Sequence, residues 1–375
     1  MKESRSEERP YTDENIEPYR LVSDELGDSC LKAMKQLRYT PRSGDSLEFI
    51  STALKNPATP SAERAALQAF VDSAYSVPEW VDYEKFEVGR HVYLRFAPLA
   101  TNVIFLAGLI GSYSASKGVK VLIKTGRLQT DILPRLFETS QMVADVLQED
   151  SLRPDGVAFK TLLRVRLMHC GVRHYILNVR DDWNMQWGHP VNQEDMCGTL
   201  TLFSYVVLKG LETMGVFVPN HEKEAYMHMW RYAGYLLGCD EFFLPPTYGE
   251  TEELYAAVRR RQTNPDEDSR ALVHAVIDAV ARKYEGVIPK EGFYAMSRYF
   301  IGDQLADKLE MPMNKVWSMA LHAMIPFWGV SSYLMSNIWL FQKAFSPLGN
   351  AYIHRTIENG LGGRKPVFAI PGIAG

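Results

Sequence analysis

Along most of this chain, apolar residues recur three and four positions apart, the period at which an α-helix turns one face to a core. The pattern predicts helices over Ala62 to Ser76, Leu133 to Gln148, Val157 to Asn178 and Glu194 to Met214. Further helices are predicted over Glu252 to Arg261, Ala271 to Tyr284 and Glu291 to Leu309. Sustained period-2 alternation, the mark of a half-buried strand, is hard to find. The punctuation agrees. Ser61 with Glu63 and Arg64 opens one helix, Pro134 stands where a first-turn proline is tolerated, and Gly210 and Gly215 fall where a helix can end. Breaks are expected at Phe242 to Thr251 (FFLPPTYGET) and Thr263 to Ser269 (TNPDEDS). The expected architecture is one all-α domain over 19–375, behind a polar, flexible N-terminal tail at 1–18.

Two apolar stretches, Ala97 to Gly111 and Val316 to Phe345, raise the question of a membrane. The first is short of the roughly 20 residues a spanning helix needs, and the second is interrupted by His322, Pro326, Asn337 and Gln342. Core helices are therefore expected, and peripheral membrane contact is not favoured. The opening residues, MKESRSEERPYTDEN, are too polar for a signal peptide, so a cytoplasmic location is expected.

Composition narrows the partners. Apolar residues make up 46% and charged residues 23%, the balance of a chain that builds a sizeable core. A formal net charge of -4 gives no electrostatic reason to bind nucleic acid. The cysteines, Cys30, Cys170, Cys197 and Cys239, form no C-x-x-C pair and no C-x-x-C-H, which argues against a zinc ribbon and against covalent haem attachment.

The informative stretch is Arg164 to Tyr175, RVRLMHCGVRHY. On a helix, Arg166, His169 and Arg173 share one stripe, flanked by Leu163, Leu167, Cys170 and Ile176. Alone, a histidine in such a setting is ordinarily a hydrogen-bonded core residue, and its arginines pair with carboxylates. Upstream, Arg135 and Thr139 stand one helical turn apart in LPRLFETSQMV. Downstream, Asn192 with Asp195 three positions later reads as a helix N-cap within HPVNQEDMCGT. Paired Glu-x-x-His motifs, which a di-iron bundle needs, are missing; Glu224 and His228 are four apart. His174 and His228 are the other histidines worth testing as ligands.

Taken in order, these motifs resemble a known family. R-x-x-x-T (Arg135, Thr139) is followed by R-x-x-H-x-x-x-R (Arg166, His169, Arg173), by PVNQED with GTL (Pro190 to Leu200) and Phe203, and by WRYAGYLLG (Trp230 to Gly238). The order is similar to that of the latex-clearing rubber oxygenases and MpaB-type prenyl side-chain oxygenases, most clearly over about 101–240. The resemblance implies a globin-like helical bundle enclosing haem b, with His169 as the proximal iron ligand. Arg166 and Arg173 would then orient the ligand or pair with haem propionates, because guanidinium matches carboxylate in bidentate fashion. Arg135 and Thr139 would belong to the haem pocket. The implied activity is the oxidation or oxidative cleavage of a small, apolar, unsaturated, isoprenoid-like substrate by dioxygen. The alternatives are another haem oxidoreductase, hydroxylase or peroxidase-like, and a haem-binding sensor without turnover.

Two departures from the family matter. A lysine precedes the motif threonine in rubber oxygenases, whereas Glu138 stands here, a candidate base from a different position. The family's distal glutamate is set further upstream, yet Gly111 to Lys124 contains Lys117, Lys120 and Lys124 and no carboxylate.

Overall fold

Short polar side chains start many of the helices. In the computed structural model, which describes residues 11–40, 44–125, 132–284, 286–337, 339–362 and 370, Asp24, Asp45 and Asp82 each accept a backbone N–H from the first turn. Asn192, Thr247 and Asp266 do the same further along. Each such cap satisfies an otherwise orphaned donor and contributes about 1 kcal/mol. The expected cap at Asn192 is borne out: its Oδ1 accepts the Asp195 N–H at 3.0 Å.

The helices begin with α1 (Glu25–Gln36), α2 (Ser46–Lys55), α3 (Ser61–Tyr75), α4 (Tyr83–Arg95) and α5 (Ala97–Ser112). Then come α6 (Ser116–Lys124), α7 (Ile132–Val146), α8 (Val157–Asn178), α9 (Gln193–Phe203) and α10 (Tyr205–Thr213). The series ends with α11 (Asn220–Leu236), α12 (Tyr248–Gln262), α13 (Glu267–Lys283), α14 (Lys290–Ile301), α15 (Asp303–Lys308), α16 (Lys315–Asn337) and α17 (Trp339–Leu361). Among the described residues there is no strand, and the one isolated bridge joins Ala115 to Thr263. The all-α expectation is borne out, and α8 runs over the predicted residues.

Two predicted helices are interrupted. Glu194 to Met214 breaks at Ser204, whose hydroxyl donates to the Leu200 carbonyl at 3.0 Å while the Tyr226 hydroxyl takes the Phe203 carbonyl at 2.6 Å. Side chains thus satisfy backbone acceptors that the helix leaves open. Glu291 to Leu309 breaks at Gly302, which adopts φ +85°, a conformation that glycine reaches without steric cost.

The N-terminal expectation is corrected. Residues 11–18 belong to the fold: Thr12 caps a one-turn helix at Asp13–Ile16, and Ile16 is fully buried against Cys197, Phe243 and Leu254. The polar residues here are committed to partners, Asp13 and Glu17 to Arg260 and Arg261, which is why a polar sequence is ordered. Residues 1–10 lie outside the described chain.

Helix α11 lies along α4, with Gly89 letting the backbones close; a methyl group there would meet the Ala225 carbonyl at 2.7 Å. Helix α5 leaves α4 at an angle of 87° and passes through a wider π-helical turn at Ile104–Leu109. No single helix among the described residues is long and apolar enough to cross a membrane; α4 and α5 reach that composition only together, across the bend. A main core includes Met142, Val165, Leu200 and Phe203, and a second includes Val119, Leu136, Ile301 and Leu305. Leu133 and Phe300 pack against both. A cavity lies at the seam.

Candidate functional site

Helix α8 has two different faces. On one, Arg166 donates through Nε and Nη2 to both oxygens of Asp24, at 2.6 and 2.8 Å, with its guanidinium over the Phe70 ring. Arg173 donates through Nε to Asp28 at 2.9 Å and through Nη1 to the Val191 carbonyl at 2.9 Å. Cys170, between them, is within 3.8 Å of Asp24, and burial pushes its thiol well above the ordinary range. Asp24 and Asp28 belong to α1 and its cap, so these pairs clamp α8 to α1.

The propionate role expected for Arg166 and Arg173 is therefore corrected. Both guanidiniums are buried against aspartates, and neither lines the cavity. Asp24 fills the Arg166 fork, and Asp28, the Val191 carbonyl and the Cys170 sulfur take the nitrogens of Arg173.

His169 lies roughly 60° around the helix from Arg166 at 100° per residue, at the edge of the face that also carries Val165, Met168 and Val172. There it lines a cavity of 520 Å³. The walls are largely apolar, with Leu136, Met142, Val165, Met168, Leu200 and Phe203 among them. Glu138 and Thr139 reach the same cavity from α7. Three residues singled out in the sequence thus meet in one space, from two helices. Arg135 lies on α7, and its side chain is outside the described residues.

Of the nine histidines, His169 is the one that lines this cavity. His228 is buried between Trp80 and Phe86, and its Nε2 accepts the Asp82 N–H at 3.0 Å. Burial, with Lys85 and Arg231 nearby, pushes its pKa down to about 4. His174 touches Lys35 and Asn178, and burial with the lysine charge lowers its pKa as well. Both are tied up away from the cavity.

Several polar residues of the cavity had no site role assigned from the sequence, where Glu194 and Asp195 figured only in the PVNQED motif and the Asn192 cap. Glu194 and Asp195, at the start of α9, line it, as do Lys209 of α10 and Arg259 of α12. Glu194 is fully buried and held by Arg20 at 3.3 Å and Arg261 at 2.9 Å. Arg20 also reaches Asp195 at 3.0 Å, and burial raises the pKa of this carboxyl against the opposing pull of Arg20 and Asn192. Lys209 lies 3.3 Å from Glu252, and Arg259 donates to the Ile301 carbonyl at 3.1 Å. Arg259 belongs to an arginine run at 259–261, and nothing in a run of identical residues says which one turns inward. Among the described residues no three His, Cys, Asp or Glu side chains are grouped to hold a metal ion.

Residues 94–329 match the family model described as ER-bound oxygenase mpaB/B'/Rubber oxygenase, catalytic domain, which is more than half of the chain. The chain belongs to this family. A rubber oxygenase of Streptomyces sp. (strain K30) is 24% identical to it over 268 residues. That alignment takes in 69% of this chain and 64% of the relative, so just under two thirds of the relative's length is spanned. The fold is similar to that of latex clearing protein in its closed state, with a TM-score of 0.62 at 18% identity, covering 94% of this chain and 95% of that one. The stretch matching the MpaB and rubber oxygenase family holds both arginines of α8, whereas their partners Asp24 and Asp28 lie upstream of it.

Proposed function

We propose that this chain is a haem b oxygenase in which His169 ligates the iron and the cavity admits a small, apolar, unsaturated substrate. The carrying observation is the place of His169: a single imidazole on a clamped helix, facing an apolar cavity shared with Glu138 and Thr139. The donor set fits the group. One histidine suffices for an iron that a porphyrin already holds on four sides, and the low polarity of the walls suits a macrocycle. At Gly111, on the lining, a methyl group would meet nothing within 4 Å, so the wall leaves open room there. Lys209 and Arg259 are the lining cations that would meet propionates, in place of Arg166 and Arg173.

When bound, haem b would supply the redox chemistry that activates dioxygen. The residues of the chain do the rest. Asp24 and Asp28 fix α8 and with it the histidine. Leu200, Phe203 and Met142 hold an apolar chain and keep water from it. Arg135 and Thr139 of the family motif stand on α7, with Glu138 between them, and the three are proposed to bind polar oxygens. The family and the rubber oxygenase relative support an isoprenoid-like substrate.

The test is an absorption spectrum of haem-supplemented protein, oxidised, reduced, and reduced with carbon monoxide, followed by oxygen uptake with prenylated small molecules. A Soret band that vanishes in His169→Ala, together with substrate-dependent oxygen consumption, is expected. Absence of haem binding in supplemented protein overturns the proposal. Reversible oxygen binding without consumption on any unsaturated lipid or terpenoid would make the protein a carrier instead.

A further inference from the structure

Three carboxylates line the cavity, Glu138, Glu194 and Asp195, and their surroundings differ. Glu194 has no accessible side-chain surface and two arginine partners. A proton can reach it only by breaking that cluster. Asp195, its neighbour in sequence, keeps 17% of its side chain accessible. Its Oδ1 accepts from Arg20 Nη1 at 3.0 Å and its Oδ2 from Asn192 Nδ2 at 2.9 Å.

Across from it stands Gly118 of α6. A methyl group built on Gly118 would lie 3.7 Å from Asp195 Oδ1 and 3.8 Å from Oδ2. Helix α6 and the turn before it, over 111–124, contribute no carboxylate. Lys120 and Lys124 are turned away to Asp266, Asp268 and Asp182. The glycine leaves the carboxylate facing open space where any other residue would put a side chain.

We infer that Asp195 is the proton-exchanging carboxylate of this cavity, held by Arg20 and Asn192 and uncovered by the missing side chain at Gly118. The inference rests on the cavity being the reaction site proposed above. The step is a proton transfer alone. An O–H or acidic C–H bond of the bound molecule breaks, its electron pair stays on that molecule, and the proton moves to a carboxylate oxygen of Asp195. The proton later returns to the product, so the residue ends as it began. The charged groups around it support this. Arg20 divides one positive charge between Asp195 and Glu194, and Arg261 divides its own between Glu194 and Glu17. Burial raises the proton affinity of Asp195, and the neighbouring Glu194 charge adds to this against the opposing pull of Arg20 and Asn192.

The test uses Asp195→Asn, Asp195→Glu and a relocation variant, Asp195→Asn with Gly118→Asp, in the full chain supplemented with haem. Asp195→Asn is expected to keep the Soret band and carbon monoxide binding while losing about 10²–10⁴-fold in kcat, with the acidic limb of the pH profile gone. Relocation is expected to restore at least tenfold of that loss, because the carboxylate returns to the same space from α6. Infrared difference spectra of the haem-free protein give a second readout: a carboxyl band that titrates above the ordinary aspartate range and is missing from Asp195→Asn. Wild-type kcat and pH profile in Asp195→Asn overturn the inference, as does a titrating band that Asp195→Asn leaves unchanged. Failure of haem to bind in the wild-type protein and every variant alike overturns the proposed function, and the infrared band then decides the role of Asp195 by itself. If Asp195→Asn does not fold, Asp195→Glu must keep activity with a shifted pH limb, and an unshifted limb overturns the inference.

Discussion

The two faces of α8 differ in what surrounds them. One is filled: Arg166 and Arg173 are sunk against Asp24 and Asp28, with most of their hydrogen-bonding groups occupied by protein. The other is open: His169 lines a cavity with Glu138 and Thr139. The difference teaches that the R-x-x-H-x-x-x-R motif is two devices in one helix. The arginines hold the helix to α1, and the histidine between them borders the cavity. Position, more than residue type, assigns these roles.

The sharpest break of this comparison is His169→Ala. Haem binding is expected to vanish, read by the Soret band, while unfolding by denaturant shifts by no more than about 1 kcal/mol, because the truncated side chain borders existing space. Next in size is Asp24→Ala. It leaves the Arg166 guanidinium buried without its counter-charge and removes the cap of α1, at a cost of about 3–5 kcal/mol in chemical denaturation. Adding Arg166→Met should return part of that loss, since a buried charge without a partner is worse than none. Asp28→Ala should cost about 1 kcal/mol, because Asp28 is 36% exposed and water takes over part of its task.

Acid offers a third route, through a histidine in a filled environment. The pKa of His228 is lowered from 6.5 to about 4, so the neutral ring is the form the fold prefers. Its stabilising contribution is present above about pH 6.5 and is lost as pH falls from there through about 4. Protonating Nε2 also destroys the acceptor for the Asp82 N–H. Thermal melting across this window should fall less steeply in His228→Gln, which keeps an acceptor and does not titrate. The smallest effect is expected for Glu138→Gln, within about 0.5 kcal/mol of wild type in denaturation, since this half-buried residue borders the cavity.

How much could be read in advance varied with distance along the chain. Helix α8 was legible to the residue, because its apolar period is unbroken over 22 positions. The Asn192 cap was legible because donor and acceptor are three residues apart. The break at Ser204 was not, since the hydroxyl that takes the Phe203 carbonyl comes from Tyr226 on another helix. Nor was the fate of the arginines: their partners stand 142 and 145 positions upstream, just beyond the 1–18 segment whose polarity reads as a loose tail.

The sequence by itself determined the helical class, the motif order that places the chain in its family, and His169 as the residue to watch. These are local properties, set by periodicity and by spacing within a turn or two. Tertiary structure alone decided that Arg166 and Arg173 are clamps, that Glu194 is sealed while Asp195 is uncovered beside Gly118, and that Lys209 and Arg259 reach the cavity. The reason is physical. A side chain's chemistry depends on which charges and how much water lie within a few ångströms of it, and those neighbours are brought together from segments far apart in the chain.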